Sequence, residues 1–545
     1  MIIKKKTIYY ENAIIKVYDI PIFYIPRLSH PDPTVDRRSG FLNPIFQNTK
    51  NLGLSTSIPY FFAIEKDKNF TFTPRLFQSE HPLFLGEYHQ AFKNSYFFSE
   101  FGYTAGYKQT SVAKRAGEKS HFFGKFVKNF IGKNNSDNTF SFSYQDTSND
   151  KYLKLYQIQS NLVDYSTTNL ESSINFTHEK DDLFLGLNAR VYESLKESYN
   201  DKYEFILPEI TLDKNLFSNE YGNLNFQGNF EVHNFDTNKT SSFLTNDIYW
   251  VSKNSIFDNG LNTQILGNLR NINYSAKNID KYKDDTTNEL FGAIGYLAKL
   301  DLEKTKNESR HFLTPKMFIR YAPGEMRKET AGRTMGVKNV FTINRMKNKK
   351  KNYETGLTAA LGLDYKLQAN EKKFDFSVAQ VINNKENKNM DSETSMDEKL
   401  SDLKGKVSYN LRDNISLRYD FALDQNYSEL NYNDIGATMN FDNLKIKFNY
   451  LKEQKHFGEN DYFNTNINYD LSSKTVLSFE TKRDLITNSS QFYNLSYEYI
   501  NDCLKAGLVY RREFYTDSEL EAENSLMFKI TLIPLGATEL PELKR

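Results

Sequence analysis

Cysteine occurs once in this chain of 545 residues, at Cys503, so neither an intrachain disulfide nor a multi-cysteine metal site can be assembled from it. Tryptophan also occurs once. Neither sign of charge is in excess: 70 Lys and Arg stand against 69 Asp and Glu, which leaves no nucleic-acid footprint. Apolar runs never approach the ~18 to 20 residues that a membrane-spanning helix needs, so the helical inner-membrane class is excluded. The eight histidines are scattered without metal-ligand spacing. Gly117 to Gly124-Lys125 has six intervening residues where a phosphate loop has four, and Phe126 stands where Ser or Thr would meet magnesium, so that reading fails. A secretory signal is missing too. Met1-Ile-Ile runs straight into Lys4, Lys5 and Lys6 with no apolar core, and the natural beginning is expected upstream of Met1.

What is abundant is aromatic. Tyr (36) and Phe (43) are plentiful in a chain that is only 39% hydrophobic, with a mean hydropathy of −0.65. Disordered chains are polar but poor in aromatics. Polar and aromatic together fit a structure with one thin apolar face and one wet face, as in a transmembrane β-barrel. Period-two alternation supports this from residue 40 onward. Leu224, Phe226, Gly228, Phe230 and Val232 alternate with Asn225, Gln227, Asn229, Glu231 and His233. Leu444, Ile446, Phe448 and Tyr450 alternate with Lys445, Lys447 and Asn449. Successive strand side chains point to opposite faces, and each run is near the ~9 to 11 residues of a tilted spanning strand. A lysine at the bilayer midplane costs ~2 to 4 kcal/mol, so Lys445 and Lys447 belong on the lumenal face and Leu444, Ile446 and Phe448 on the lipid face. A soluble sheet would also alternate, but it would not keep charged and amide side chains along one whole face over so many segments. No blade-length repeat of propeller type is present.

The expected fold is therefore all-β: a large transmembrane antiparallel barrel over 41–536, with a tail at 537–545. Long connections are expected at Arg115 to Asn138, Pro323 to Asn352 and Asn383 to Ser401. The second carries nine basic residues, among them Arg327, Arg345 and Lys351, read either as contacts to lipid phosphates or as an ordinary solvated loop. The densest proline stretch lies at the start, where Pro21 to Phe62 holds six of the thirteen prolines. Proline cannot donate to a ladder and is kept out of central strands, so Pro44 and Pro59 in neighbouring strand-like runs signal weak pairing there, or strand ends.

Several stretches resemble the LptD (OstA) family of outer-membrane lipopolysaccharide-assembly proteins. They are Ala13-Ile-Ile-Lys-Val-Tyr-Asp-Ile-Pro-Ile-Phe-Tyr-Ile-Pro, then Arg37-Arg38-Ser39-Gly40-Phe41-Leu42-Asn43-Pro44, Ile58-Pro59-Tyr60-Phe61 and Phe72-Thr73-Pro74. Farther on come Asn344-Arg345-Met346, Glu354-Thr355-Gly356, Gln380, Ser401-Asp402-Leu403, the run from Asp502 to Arg512, and Ser525 to Gly536.

The resemblance implies about 26 strands, preceded at 1–26 by the end of a periplasmic β-jelly roll and at 27–40 by a hinge. Pro21, Pro26, Arg37, Arg38 and Gly40 are the hinge candidates. It implies a translocon that inserts lipopolysaccharide into the outer leaflet, the acyl chains leaving through a lateral gate between first and last strands and the glycan through the lumen. Pro44 and Pro59 on one side, and Leu526, Phe528, Ile530 and Leu532 on the other, are the gate candidates. The implied partners are lipopolysaccharide, outer-membrane lipids, an LptE-like plug lipoprotein and an LptA-like periplasmic bridge protein, with no cofactor and no catalysis. Family members often carry two adjacent cysteines near the end; here Asp502 takes the first position, and Cys503 either bonds to a cysteine upstream of Met1 or is a free thiol. The alternative function is a passive outer-membrane porin or nutrient receptor.

Overall fold

A computed structural model of the chain describes residues 2–4, 7–17, 20–31, 38–108, 110, 114, 116–196, 201–328, 335–346, 351–369, 371–412, 414–454, 460–486, 489–500, 504–514 and 522–532. Strands dominate. Ile2–Lys4, Thr7–Val17 and Ile20–Pro31 form a separate three-stranded antiparallel sheet. Ile20–Pro31 is its edge strand and contains Pro21, Pro26 and Pro31, which an edge tolerates because its outer N–H groups have no ladder to serve.

From Gly40 onward all pairing is antiparallel and, with broken strands counted as one, runs between sequence neighbours, and the last strand, Asn524–Leu532, closes on Ile45–Thr49. The result is a closed barrel of 26 strands, once Gly40–Phe41 is grouped with Ile45–Thr49, Gly53–Ser57 with Tyr60–Glu65, Lys239–Val251 with Ser255–Ile256, and Thr287–Leu300 with Leu302–Lys306. Alternation sets its faces. In Lys239–Val251, Leu244 and Ile248 are exposed outward while Ser241, Phe243, Thr245 and Asp247 are buried on the other side. Lys445 and Lys447 sit opposite Asn468 and Asn466, whereas Ile446 sits opposite Ile467, so the polar row continues from strand to strand.

Connections differ by end. Short turns such as 66–67, 181–182 and 473–474 lie at the end where the first strand begins and the last one stops. The long connections 148–168, 323–355 and 384–402 lie at the other. That is the pattern of an outer-membrane barrel with short periplasmic turns and long external loops.

The expected loop at 115–138 needs correction. Lys119–Ile131 is a strand, followed by a single 3-10 turn at Lys133–Asn135. The sequence hides it because Phe122-Phe123-Gly124 interrupts the alternation and four lysines within 119–133 imitate a charged loop.

Candidate functional site: the seam and the lumenal wall

The first two barrel strands are both broken at proline. Ile45–Thr49 is separated from Gly40–Phe41 by Leu42, Asn43 and Pro44, and Gly53–Ser57 from Tyr60–Glu65 by Ile58 and Pro59. Across the break the hairpin slips by one residue: Ile45 faces Ser57, but Phe41 faces Tyr60. The chain reaches around the prolines with single bonds, the Leu42 amide donating to the Pro59 carbonyl at 2.8 Å and the Ile58 amide to Pro74 at 3.0 Å.

This break shortens the closing seam. Ser525 to Lys529 pair with Thr49 to Ile45, five residue pairs, whereas the same last strand makes nine with its other neighbour, Leu504–Glu513. Beyond Lys529 the last strand has no partner in the first strand among the described residues. Of the gate candidates, Pro44 and Pro59 lie at the breaks, and Leu526 is exposed and opposite Asn48. Phe528 is half-buried opposite Phe46. Ile530 and Leu532 lie past the part paired with the first strand, in register with Ala506 and Leu504 of the penultimate strand. Of the hinge candidates, Pro21 and Pro26 are exposed on the edge strand, Arg38 is exposed, and Gly40 begins the first barrel strand. Arg37 and Cys503 lie outside the described residues.

Behind the seam lies a polar knot that sequence reading missed. Arg75 is buried and donates to three neutral acceptors: Ser55 Oγ at 3.1 Å, Gln47 Oε1 at 2.8 Å and the Tyr156 carbonyl at 2.6 Å. Gln47 in turn donates to Gln157 Oε1 at 2.5 Å. Tyr156 and Gln157 belong to the connection 148–168, whose one-turn helix Tyr152–Tyr156 ends at Gln157 in a left-handed conformation. Tyr152, Leu153, Leu155 and Tyr156 are buried against Leu83 and Phe123 of the wall. Gly102 makes room, since a Cβ there would come within 2.7 Å of the Tyr152 hydroxyl. On the far side of the seam the Tyr165 ring lies 5.8 Å from the Arg511 guanidinium. The segment thus touches the first and third strands and the penultimate one. The only local signal for this knot was Arg75 directly after Pro74.

At the outer end of the seam Glu523, just before the last strand, accepts from the Lys50 amide at 2.5 Å, from the Asn51 amide at 3.3 Å and from Asn51 Nδ2. Burial pushes its carboxyl up from the usual carboxylate range, and Glu513 adds to this against the opposing hydrogen bonds.

A second covered region occupies the opposite wall. The described parts of the connection 323–355, namely 323–328, 335–346 and 351–355, fold onto the inward faces of the strands between Gly222 and Asn383, with Met326, Met335, Val340, Ile343 and Tyr353 packing on Phe243, Tyr274, Phe291 and Phe318. Its centre is ionic. Arg320, fully buried, donates to the Ile343 carbonyl at 2.5 Å and lies 3.7 Å from Glu354. Arg345 donates to Glu354 Oε2 at 3.0 Å and to Thr358 Oγ1 at 2.9 Å. Burial pushes the Glu354 carboxyl up, but Arg345 and Arg320 outweigh it and hold it below the usual range. Burial also pushes the Tyr353 phenol up to about 12. Arg327 stacks 4.3 Å from the Tyr274 ring and Lys351 meets Glu231 at 2.5 Å. These three basic residues, Arg327, Arg345 and Lys351, face protein, which corrects the reading of them as lipid or solvent contacts. The mid-chain signatures meet on the same wall: Gln380 donates to the Ser401 carbonyl at 2.8 Å, and Asp402 pairs with Lys404 at 3.3 Å.

The family model described as LPS transport system D, LptD, matches residues 129–480. The chain belongs to the LptD family. LptD relatives named as LPS-assembly proteins agree. That of Francisella tularensis subsp. novicida is 28% identical over 217 residues, covering 39% of this chain and 23% of the relative. The Pseudomonas putida protein is 26% identical over 241 residues, covering 43% and 25%. A Shewanella protein reaches 40% over 68 residues, 12% of this chain and 9% of the relative. The matched stretches thus span a quarter or less of these relatives' length. With the barrel above, LptD membership makes this chain an integral outer-membrane protein. The FrpB iron transporter from Neisseria meningitidis aligns over 91% of this chain and 82% of its own at 7% identity, with a TM-score of 0.32, too low to bear on fold or ligand.

Proposed function

We propose that this barrel inserts lipopolysaccharide into the outer leaflet, the acyl chains leaving sideways between its first and last strands and the glycan passing through the lumen. A lipopolysaccharide carries hydrocarbon that must reach lipid and a glycan that must stay wet. A fully paired barrel forbids lateral exit, because each backbone group left unpaired in lipid costs several kcal/mol. The observation that carries the reading is the seam, where only five residue pairs close a barrel whose first two strands are both broken at proline. Each ladder bond is worth a net ~0.5 to 1.5 kcal/mol, so a five-pair seam parts at less cost than the nine-pair junction on the other side of the last strand.

Polar side chains on the lumenal face support the second half of the reading. Arg418 bridges Asp420 and Asp434 at 2.9 Å each and remains partly exposed, a wet surface for a glycan or for a plug lipoprotein of LptE type. An LptA-like bridge protein would engage the periplasmic sheet that precedes the barrel.

Photocrosslinking groups at Asn48 and Leu526, on the lipid side of the seam, are expected to capture lipopolysaccharide in living cells, while one at Leu244 on the covered wall captures none. Equal labelling at all three positions, or none at the seam with free solute flux through the purified barrel, would refute the reading in favour of a porin or nutrient receptor.

A further inference from the structure

Five residue pairs leave a seam that needs some other closure at rest, and the outer end of this one supplies it. Glu523 belongs to the last-strand side, and Lys50 and Asn51 form the turn that ends the first strand. The carboxylate therefore crosses the seam, and its three acceptances all come from the turn: the Lys50 amide at 2.5 Å, the Asn51 amide at 3.3 Å and Asn51 Nδ2. The Lys50 amide is shared with the Asn524 carbonyl at 3.2 Å. Both Glu523 and Asn51 are 6% exposed, so the bonds are shielded from competing water. The turn is also fixed from its own side, by Lys114 Nζ on the Asn51 carbonyl at 3.2 Å and by the burial of Leu52 beneath the segment 148–168.

We propose that Glu523 is a latch residue: its carboxylate on the Lys50-Asn51 turn holds the outer end of the seam shut between transport events, and its release is the first step of lateral opening. The proposal rests on the seam reading above. A hydrogen-bonded latch suits the task because it is local and reversible. Hydrogen bonds to a charged group are the strong kind, yet all three break together when one side chain swings away. Burial leaves this carboxylate incompletely compensated, so water outside the latch receives it readily. Glu523 touches the turn and not the transported lipid; it is a positioning residue.

The test uses the full outer-membrane complex carrying Asn48→Cys with Leu526→Cys, a pair that is in register across the seam. Disulfide formation is followed by peptide mapping under a mild oxidant, and its rate reports how often the seam is closed. Glu523→Ala is expected to shift the closed-to-open ratio of the seam about tenfold toward open, the loss of roughly one charged hydrogen bond net, and so to slow trapping measurably, while the barrel keeps its heat-modifiable mobility on gels. Glu523→Gln, which retains one carbonyl acceptor but sets an NH2 against the donors, should fall between the two; it carries the test if the alanine variant does not assemble. Asn51→Ala should slow trapping less, and should add nothing once Glu523 is alanine, because both remove one interaction.

Unchanged trapping in Glu523→Ala or Glu523→Gln, or additive effects of the two sites, overturns the latch. The seam reading fails separately: it falls if the 48–526 disulfide forms and lipopolysaccharide delivery continues. A disulfide that blocks delivery in a background where Glu523→Ala changes nothing removes the latch and leaves the gate.

Discussion

Two buried arginines on opposite walls of the barrel do different work. Arg320 sits in a closed ionic group with Glu354 and Arg345 beneath a folded connection, on a wall whose strands pair over as many as fourteen residues. Arg75 sits behind the seam with three neutral acceptors and no carboxylate partner among the described residues. Removing one member of a buried ion group leaves an uncompensated charge, so the first cluster resists rearrangement. The second is a set of single hydrogen bonds, each replaceable by water. The same residue type thus anchors one wall and loosely ties the other, and the difference supports the proposal that motion belongs at the seam.

The largest effect should come from the rigid side. Glu354→Ala strands Arg320 and Arg345 and is expected to cost ~3 to 5 kcal/mol, releasing 323–355 from the wall, which limited proteolysis of intact cells would show as new cleavage within that connection. The same group gives a pH signature. Because the folded-state pKa of Glu354 is depressed, its stabilisation is fully present above the ordinary carboxylate value of about 4.3 and is lost as pH falls below it. Hydrogen-exchange protection of 335–346, taken relative to the intrinsic rate at each pH, should therefore stay flat from neutral pH down to that value and fall only at more acid pH; a loss of protection between pH 7 and 5 would contradict the assignment.

An intermediate effect is expected at the seam. Pro44→Ala with Pro59→Ala returns two amide donors, worth ~0.5 to 1.5 kcal/mol each if both bond, and should slow lipopolysaccharide delivery while leaving the folded barrel intact. Unchanged surface delivery would show that the prolines merely mark strand ends. The smallest effect belongs to the strap across the seam. Tyr165→Ala removes one partly exposed cation–π contact of ~0.5 to 1 kcal/mol and should raise seam opening only slightly, read as a modest loss of 48–526 trapping.

Alternation makes the barrel legible in the sequence, because a strand facing lipid on one side and water on the other writes a period of two into it. It failed at Lys119–Ile131, where the inward-facing Phe123 beside the outward-facing Phe122 serves packing against 148–168 and so breaks the period. The breaks at Pro44 and Pro59 in the first two strands were legible as well, since proline cannot donate to a ladder; the sequence did not say whether a break weakens the seam or only ends a strand. Glu523, Arg75 and Gln47 were not. Each is an ordinary polar residue whose role comes from partners 20 to 473 positions away, and apart from the place of Arg75 directly after Pro74 nothing local marks them. The basic connection 323–355 misled for the related reason that charge in sequence does not say whether an arginine faces solvent or a buried carboxylate.

The central claim is that lipopolysaccharide leaves through the seam between Ile45–Thr49 and Asn524–Leu532. Locking that seam tests it most directly. With Asn48→Cys and Leu526→Cys oxidised to a disulfide, surface lipopolysaccharide delivery should stop and should resume on reduction, while a matched pair such as Ile435→Cys with Tyr450→Cys, in register on a continuous part of the wall, should have no effect. Continued delivery through a barrel whose seam is shown to be covalently closed would contradict the account.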